Sequence, residues 1–86
     1  MTIEEFVDTL LSGWEIDFVI EGVCFHYQRS WIGDAFQLYL TTEQETLYES
    51  VTLDMDAATA EIMSLPIFDD KSIEELSRRI TVVSSS

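Results

Sequence analysis

The chain has 86 residues, of which 17 are Asp or Glu and 4 are Lys or Arg, so its formal net charge is −13. This balance excludes a protein that binds nucleic acid directly, because such a protein needs a basic surface, and an anionic membrane would repel it. No apolar run reaches the roughly 20 residues that span a bilayer, and acids stand where a signal peptide is basic, so we expect a cytoplasmic protein. Hydrophobic residues make up 47% of the chain, which predicts one domain over residues 1–86 with a frayed tail at 84–86.

A first helix is predicted over residues 3–12. Thr2 and Glu5 have the spacing of a capping box, in which each side chain satisfies a backbone donor of the other residue. Gly13 is expected to end the helix in a left-handed conformation. The apolar stripe that would face the core consists of Ile3, Phe6, Val7, Leu10 and Leu11.

Two strands, 14–21 and 23–32, are predicted to follow as a hairpin. Large apolar residues alternate with polar ones in both stretches, which is the period of a half-buried strand. A two-residue loop at Glu21-Gly22 sets Phe18 opposite Phe25 and puts every large apolar residue on one face. Because a slip of one residue would reverse the faces, this pattern selects the register.

A third strand over 35–41 is predicted after a type II′ turn at Gly33-Asp34, with Trp31 opposite Phe36. A fourth strand is predicted over 46–53, where Leu47, Val51 and Leu53 share one phase. A short helix is the alternative there, because Thr42 and Glu45 also have the spacing of a capping box.

The C-terminal third predicts two more helices. Asp54 or Asp56 can cap a helix over 57–64 that ends before Pro66, and Asp69-Asp70 would form a turn. Ser72 would cap the last helix, from which Ile73, Leu76 and Ile80 face inward, and residues 81–83 could add a short edge strand. The fold class is therefore α+β: an antiparallel meander of three or four strands with an N-terminal helix and two C-terminal helices packed on one face.

Two segments resemble small accessory proteins of Firmicute bacteria and their phages. The first, IEEFVDTLLSGWEIDFVIEGVCFHYQ, has their short helix, Leu-Leu-x-Gly, Glu-Ile-x-Phe strand and aromatic second strand. The second, LPIFDDKSIEELSRRI, is similar to their closing segment of Phe, Asp, Lys-Ser and a last helix. Here Glu21 replaces the usual Asn of the turn, and Asp70 replaces a usual Gly. The resemblance implies an accessory protein of a mobile element and no established activity.

The residues that could take part in catalysis or metal binding are Asp17, Cys24 and His26, which share one face of the predicted hairpin. They could form half of a metal site, but a closed zinc site needs four ligands and the chain has one Cys and one His. Cys24 and His26 could also act as nucleophile and base, although no oxyanion donor is identifiable. Helix capping and turns account for the Asp54/Asp56 and Asp69/Asp70 pairs better than calcium does. We therefore expect no enzyme, no cofactor and no metal, with an Asp17–His26 contact across the strands.

The predicted function is a non-enzymatic, acidic binding module that inhibits a basic, nucleic-acid-handling protein. Carboxylates spaced along a sheet could stand in for phosphates, as expected of a phage anti-defence (anti-CRISPR type) protein. Alternatives are a toxin immunity protein, a subunit that homo-oligomerises through the 46–53 strand, and an acidic face that is merely solvated. The expected partner-binding residues are Glu15, Asp17, Glu21, His26, Tyr39, Glu43, Glu45, Tyr48 and Glu49.

Overall fold

A five-stranded antiparallel sheet organises the chain in the computed structural model, which describes residues 2–68 and 70–86 and, at Phe68, only the backbone. The strand order is β4-β3-β2-β1-β7. The elements are α1 (Ile3–Ser12), β1 (Glu15–Ile20), β2 (Val23–Ile32), β3 (Ala35–Thr41), β4 (Thr46–Thr52), α2 (Met55–Met63), β5 (Pro66–Phe68), β6 (Lys71–Ser72), a 3₁₀ turn (Ser77–Arg79) and β7 (Thr81–Ser85). The α+β class is confirmed, and no helix of the described ranges is long and apolar enough to cross a membrane.

The first helix begins and ends where the sequence predicts. Thr2 Oγ1 accepts a hydrogen bond from Glu5 N at 3.1 Å, and Thr2 N donates to Glu5 Oε1 at 3.2 Å, so the capping box is present. The left-handed cap predicted at Gly13 is wrong, because this residue is extended, with φ −93° and ψ 153°. An added Cβ there would lie 2.9 Å from Cδ1 of Ile16, so any other residue would require the end of this side chain to move.

Both predicted hairpins and their registers are confirmed. Phe18 pairs with Phe25, and the two rings stack with centroids 5.2 Å apart. Glu21 and Gly22 have φ values of 51° and 78°, as a type I′ turn requires, so a glutamate occupies a left-handed position. In the next hairpin Trp31 pairs with Phe36, and Gly33 has φ 59°.

Alternation divides the sheet into a covered face and an open face. The covered face packs against α1 and α2, whose Phe6, Leu10, Ala58 and Ile62 join the same core. Its strand residues are Ile16, Phe18, Ile20, Phe25, Tyr27, Arg29, Leu38 and Leu40, all buried. The open face consists of Glu15, Asp17, Val19, Cys24, His26, Gln28, Ser30, Gln37, Tyr39, Glu49 and Val51, all exposed or half-buried.

Strand β4 is a strand, as predicted, and not a helix. Its register places Val51 on the open face, opposite Gln37, and places Tyr48 on the covered side, opposite Leu40. A shift between Leu40 and Thr41 interrupts the ladder at the start of β4. This irregularity sets the phase of the strand, and the sequence pattern does not reveal it.

The C-terminal segment differs most from prediction. The capping box of Ser72 and Glu75 forms, and Ile73, Leu76 and Ile80 are buried, but the last helix is only a 3₁₀ turn. Helix α2, capped by Asp54, is therefore the C-terminal α-helix of the described chain.

Strand β7 makes the sheet five-stranded instead of the predicted three or four. The frayed tail predicted at 84–86 is wrong, because Ser84 and Ser85 pair with β1 and Ser86 O accepts a hydrogen bond from Trp14 N at 2.6 Å. The turn predicted at Asp69-Asp70 lies partly outside the described residues.

Candidate functional site

The open face carries its carboxylates in two neighbouring rows that cross the strands. One row runs from Ser84 through Asp17 and His26 to Thr41. The next runs from Glu15 through Gln28 and Tyr39 to Glu49. Residues two apart on a strand are separated by about 7 Å, so the rows form one patch. The twofold period of β1 fixes Glu15 and Asp17 on this side, because the alternate residues Ile16 and Phe18 are in the core.

Asp17 is the best-connected acid of this surface. His26 Nδ1 lies 2.6 Å from Asp17 Oδ1, and Ser84 Oγ donates to Asp17 Oδ2 at 3.0 Å. Since an ionised carboxylate only accepts, the proton of this contact belongs to Nδ1 of His26. These two bonds, that of His26 first, hold the pKa of Asp17 below its usual value. The cross-strand contact expected from the sequence is therefore confirmed, and both side chains remain partly exposed, at 52% for Asp17 and 39% for His26.

A shallow cavity of about 430 Å³ opens beside this contact. Asp17, His26 and Glu43 line it together with Cys24 and Val83. Glu43 reaches the cavity because Thr41, the last residue of β3, pairs with His26, so that the loop over 42–45 begins next to it. Two carboxylates and one imidazole at an open concavity can receive a cationic side chain from another molecule.

None of the four cationic residues belongs to the open face. Arg29 is buried on the covered face, where its Nη1 donates to Leu11 O at 2.8 Å and its guanidinium lies 4.3 Å from the ring centre of Trp14. Lys71, Arg78 and Arg79 belong to the C-terminal segment. Among the described residues of the open face there is consequently no Lys or Arg to offset the carboxylates.

Several predicted site residues do not join the surface as free groups. Tyr48 lies on the covered side, where its hydroxyl donates to Glu61 Oε2 at 2.8 Å, and burial raises its pKa. Glu21 lies in the turn and accepts a hydrogen bond from Arg79 Nη1 at 2.7 Å. Glu45 is exposed in the loop before β4, at the edge of the sheet. The surface that the structure brings together thus contains Glu15, Asp17, His26, Tyr39, Glu43 and Glu49.

The structure gives little support to a cysteine nucleophile or a metal site. Cys24 is an exposed free thiol, two residues from His26 on the same strand. No group of three His, Cys, Asp or Glu side chains close enough to hold a metal ion occurs in residues 2–68 and 70–86.

Sequence reasoning missed two parts of the open face. Ser84 was expected to fray, and its contact with Asp17 joins residues 67 positions apart, for which the sequence carries no local signal. The other part is an apolar end, where Ile32 is 48% exposed and Val51 58%, and where Leu53, directly after β4, is 78% exposed. The register places Val51 opposite Gln37 and Ile32 opposite Ala35, beyond the two acidic rows. The prediction that Leu47 and Val51 share one phase is wrong, because Leu47 packs against the core whereas Val51 lies on the open face.

No protein-family model matches this chain, and no curated protein or solved structure matches it.

Proposed function

We propose that this protein is a non-enzymatic binding module whose open sheet face docks on a basic protein. The observation that supports this best is the charge of that face: Glu15, Asp17 and Glu49 lie on it, Glu43 adjoins it in the loop over 42–45, and no Lys or Arg is among the described residues of the face. The overall charge of −13 would speed encounter with a basic partner and make the complex sensitive to salt.

The partner that fits this chemistry is a protein that handles nucleic acid, since its basic cleft is built for rows of negative charge. The module would occupy the cleft with the Glu15 and Asp17 carboxylates about 7 Å apart along β1 and with Glu49 on β4, on the same face of the sheet. Tyr39, half-buried between Gln28 and Glu49, would be the aromatic anchor of the contact. A phage anti-defence protein or a toxin immunity protein would act in this manner, by obstruction.

Capture from a host lysate tests the proposal. Immobilised protein should retain basic proteins at about 0.05 M salt and lose them at about 0.5 M, because salt screens charge–charge attraction. Added double-stranded DNA should release the captured proteins, because it competes for the same cleft.

A charge-matched pair of variants locates the contact. Glu15→Gln/Asp17→Asn/Glu49→Gln removes three charges from the open face, whereas Glu4→Gln/Asp8→Asn/Glu74→Gln removes three exposed charges elsewhere. Capture should fall at least tenfold for the first variant and change little for the second. Equal losses of capture in the two variants would mean that only net charge matters. If added DNA does not release the captured proteins, a nucleic-acid-handling partner is excluded.

A second candidate is a subunit that assembles with itself. The terminal position of β4 in the sheet favours it, because an unpaired edge can template another strand. Light scattering across a range of concentrations tests it, and a mass of one chain throughout would exclude it.

A further inference from the structure

We propose that an extended, basic segment of the partner adds to the sheet as a strand beside β4; this inference rests on the proposed function and specifies how the partner binds. Strand β4 is the last strand on its side of the sheet. Within the described chain its backbone hydrogen bonds go to β3 only, and none joins Thr46–Thr52 to a residue outside that ladder. One side of its backbone is therefore free to receive another strand.

The edge of β4 is regular enough to be a template. It pairs with β3 without interruption from Thr52 to Tyr48, and its shift lies at the far end, between Leu40 and Thr41. The strand contains no Lys or Pro, the residues that usually protect a sheet edge. The opposite edge, β7, is less suitable because the ladder between β1 and β7 shifts in its middle, between Asp17 and Phe18.

The side chains of β4 specify the chemistry of the incoming strand. Glu49 and Val51 follow one another on the open side, with Glu49 exposed and Val51 58% exposed, whereas Leu47 packs against the core. A residue opposite Glu49 is favoured if it is a cation, and a residue opposite Val51 is favoured if it is apolar. The incoming segment should thus have a basic residue with an apolar residue two positions away.

A second copy of the chain fits this edge poorly. Antiparallel pairing of β4 with itself about its centre would bring two Glu49 carboxylates opposite each other, and like charges at that position are unfavourable. It would also join two chains that each carry a charge of −13. The basic segment is consequently the occupant that the charges favour.

A peptide titration tests this directly. The probe is the synthetic peptide Thr-Val-Thr-Lys-Thr-Val-Thr, followed through the backbone amide shifts of the full chain. We expect shifts concentrated in Thr46–Thr52 and in the flanking Leu53. A matched peptide, N-methylated so that one edge cannot donate hydrogen bonds, should bind at least about tenfold more weakly, since main-chain hydrogen bonds provide the affinity of strand addition.

A charge exchange provides the second arm. Glu49→Lys should weaken binding of the lysine peptide several-fold and strengthen binding of a peptide with Glu in place of Lys, whereas Glu74→Lys, with the same change of net charge, should not reverse this preference. The inference is overturned if no binding is seen, if N-methylation has no effect, or if the chain dimerises through β4. Its failure is distinguishable from failure of the proposed function, because capture that depends on Glu15, Asp17 and Glu49 would survive it.

Discussion

The two faces of one sheet differ completely, although they are made by alternate residues of the same strands. On the covered face, Phe18 is 1% exposed and Phe25 is 3% exposed, stacked on each other beneath the helices. On the open face, the intervening Asp17 and His26 contact each other and remain partly exposed to solvent. The comparison teaches that one face carries the stability of the molecule, so the other is free to carry charge.

The largest difference between the faces should appear on truncation of the core. Phe18→Ala removes a buried ring that contacts both Phe6 and Phe25, and we expect it to lower the free energy of unfolding by about 3 to 5 kcal/mol. Gln28→Ala on the open face should change it by less than about 0.5 kcal/mol. Urea unfolding measures both, and comparable losses would end the distinction between the faces.

Arg29 is the exception on the covered face, a buried cation among aromatic rings. Arg29→Met keeps much of the stem but loses the bond to Leu11 O and the contact with Trp14, so we expect a loss of about 2 kcal/mol. Arg78→Met, at an exposed position, should cost less than about 0.5 kcal/mol. If Arg29→Met left the free energy of unfolding unchanged, the contacts of Arg29 with Leu11 O and Trp14 would not stabilise the fold.

The turn that joins β1 and β2 should be improvable without touching either face. Glu21 has φ 51°, which Asn tolerates better than Glu. In an Arg79→Ala background, which removes the ion pair of Glu21, we expect Glu21→Asn to raise the free energy of unfolding by about 0.5 to 1 kcal/mol. Thermal or urea unfolding of the two variants provides the measurement, and a decrease would contradict the assignment of strain to the turn.

The smallest effect concerns pH and the open face. Because the pKa of Asp17 is lowered in the folded state, its stabilising contribution is present above the unfolded value of about 3.9 and is lost as the pH falls through the folded pKa. The contribution should stay below about 1 kcal/mol, because the pair is exposed.

Carboxyl NMR titration measures this directly. His26→Ala should raise the pKa of Asp17 more than Ser84→Ala does, since His26 is the principal cause of the shift. An unchanged Asp17 pKa in His26→Ala would show that the contact is absent in solution.

The sequence predicted the N-terminal half of the fold well because the hydrophobic period and the turns agree there. A slip of one residue between β1 and β2 would turn Phe18 or Phe25 to the open face, so burial together with the two-residue turn selects the register. The Asp17–His26 contact followed from that register alone. For the candidate site, then, the residues of β1 and β2 were predictable, and so was Tyr39 on β3.

The remaining site residues depended on contacts between distant segments. Tyr48 was expected among the partner-binding residues, but it pairs with Leu40 on the covered side, where its hydroxyl donates to Glu61. Ser84 lies on this surface because β7 pairs with β1, and Arg79 forms an ion pair with Glu21, which is distant in the sequence.

By itself, the sequence determined which residues alternate, where the first helix is capped and which side of each hairpin is buried, because these follow from interactions among near neighbours. Only the tertiary structure decided the phase of β4, the reduction of the last helix to a 3₁₀ turn and the pairing of β7 with β1. These features depend on the competition of remote segments for the same edge and the same core, and a local pattern contains no record of that competition.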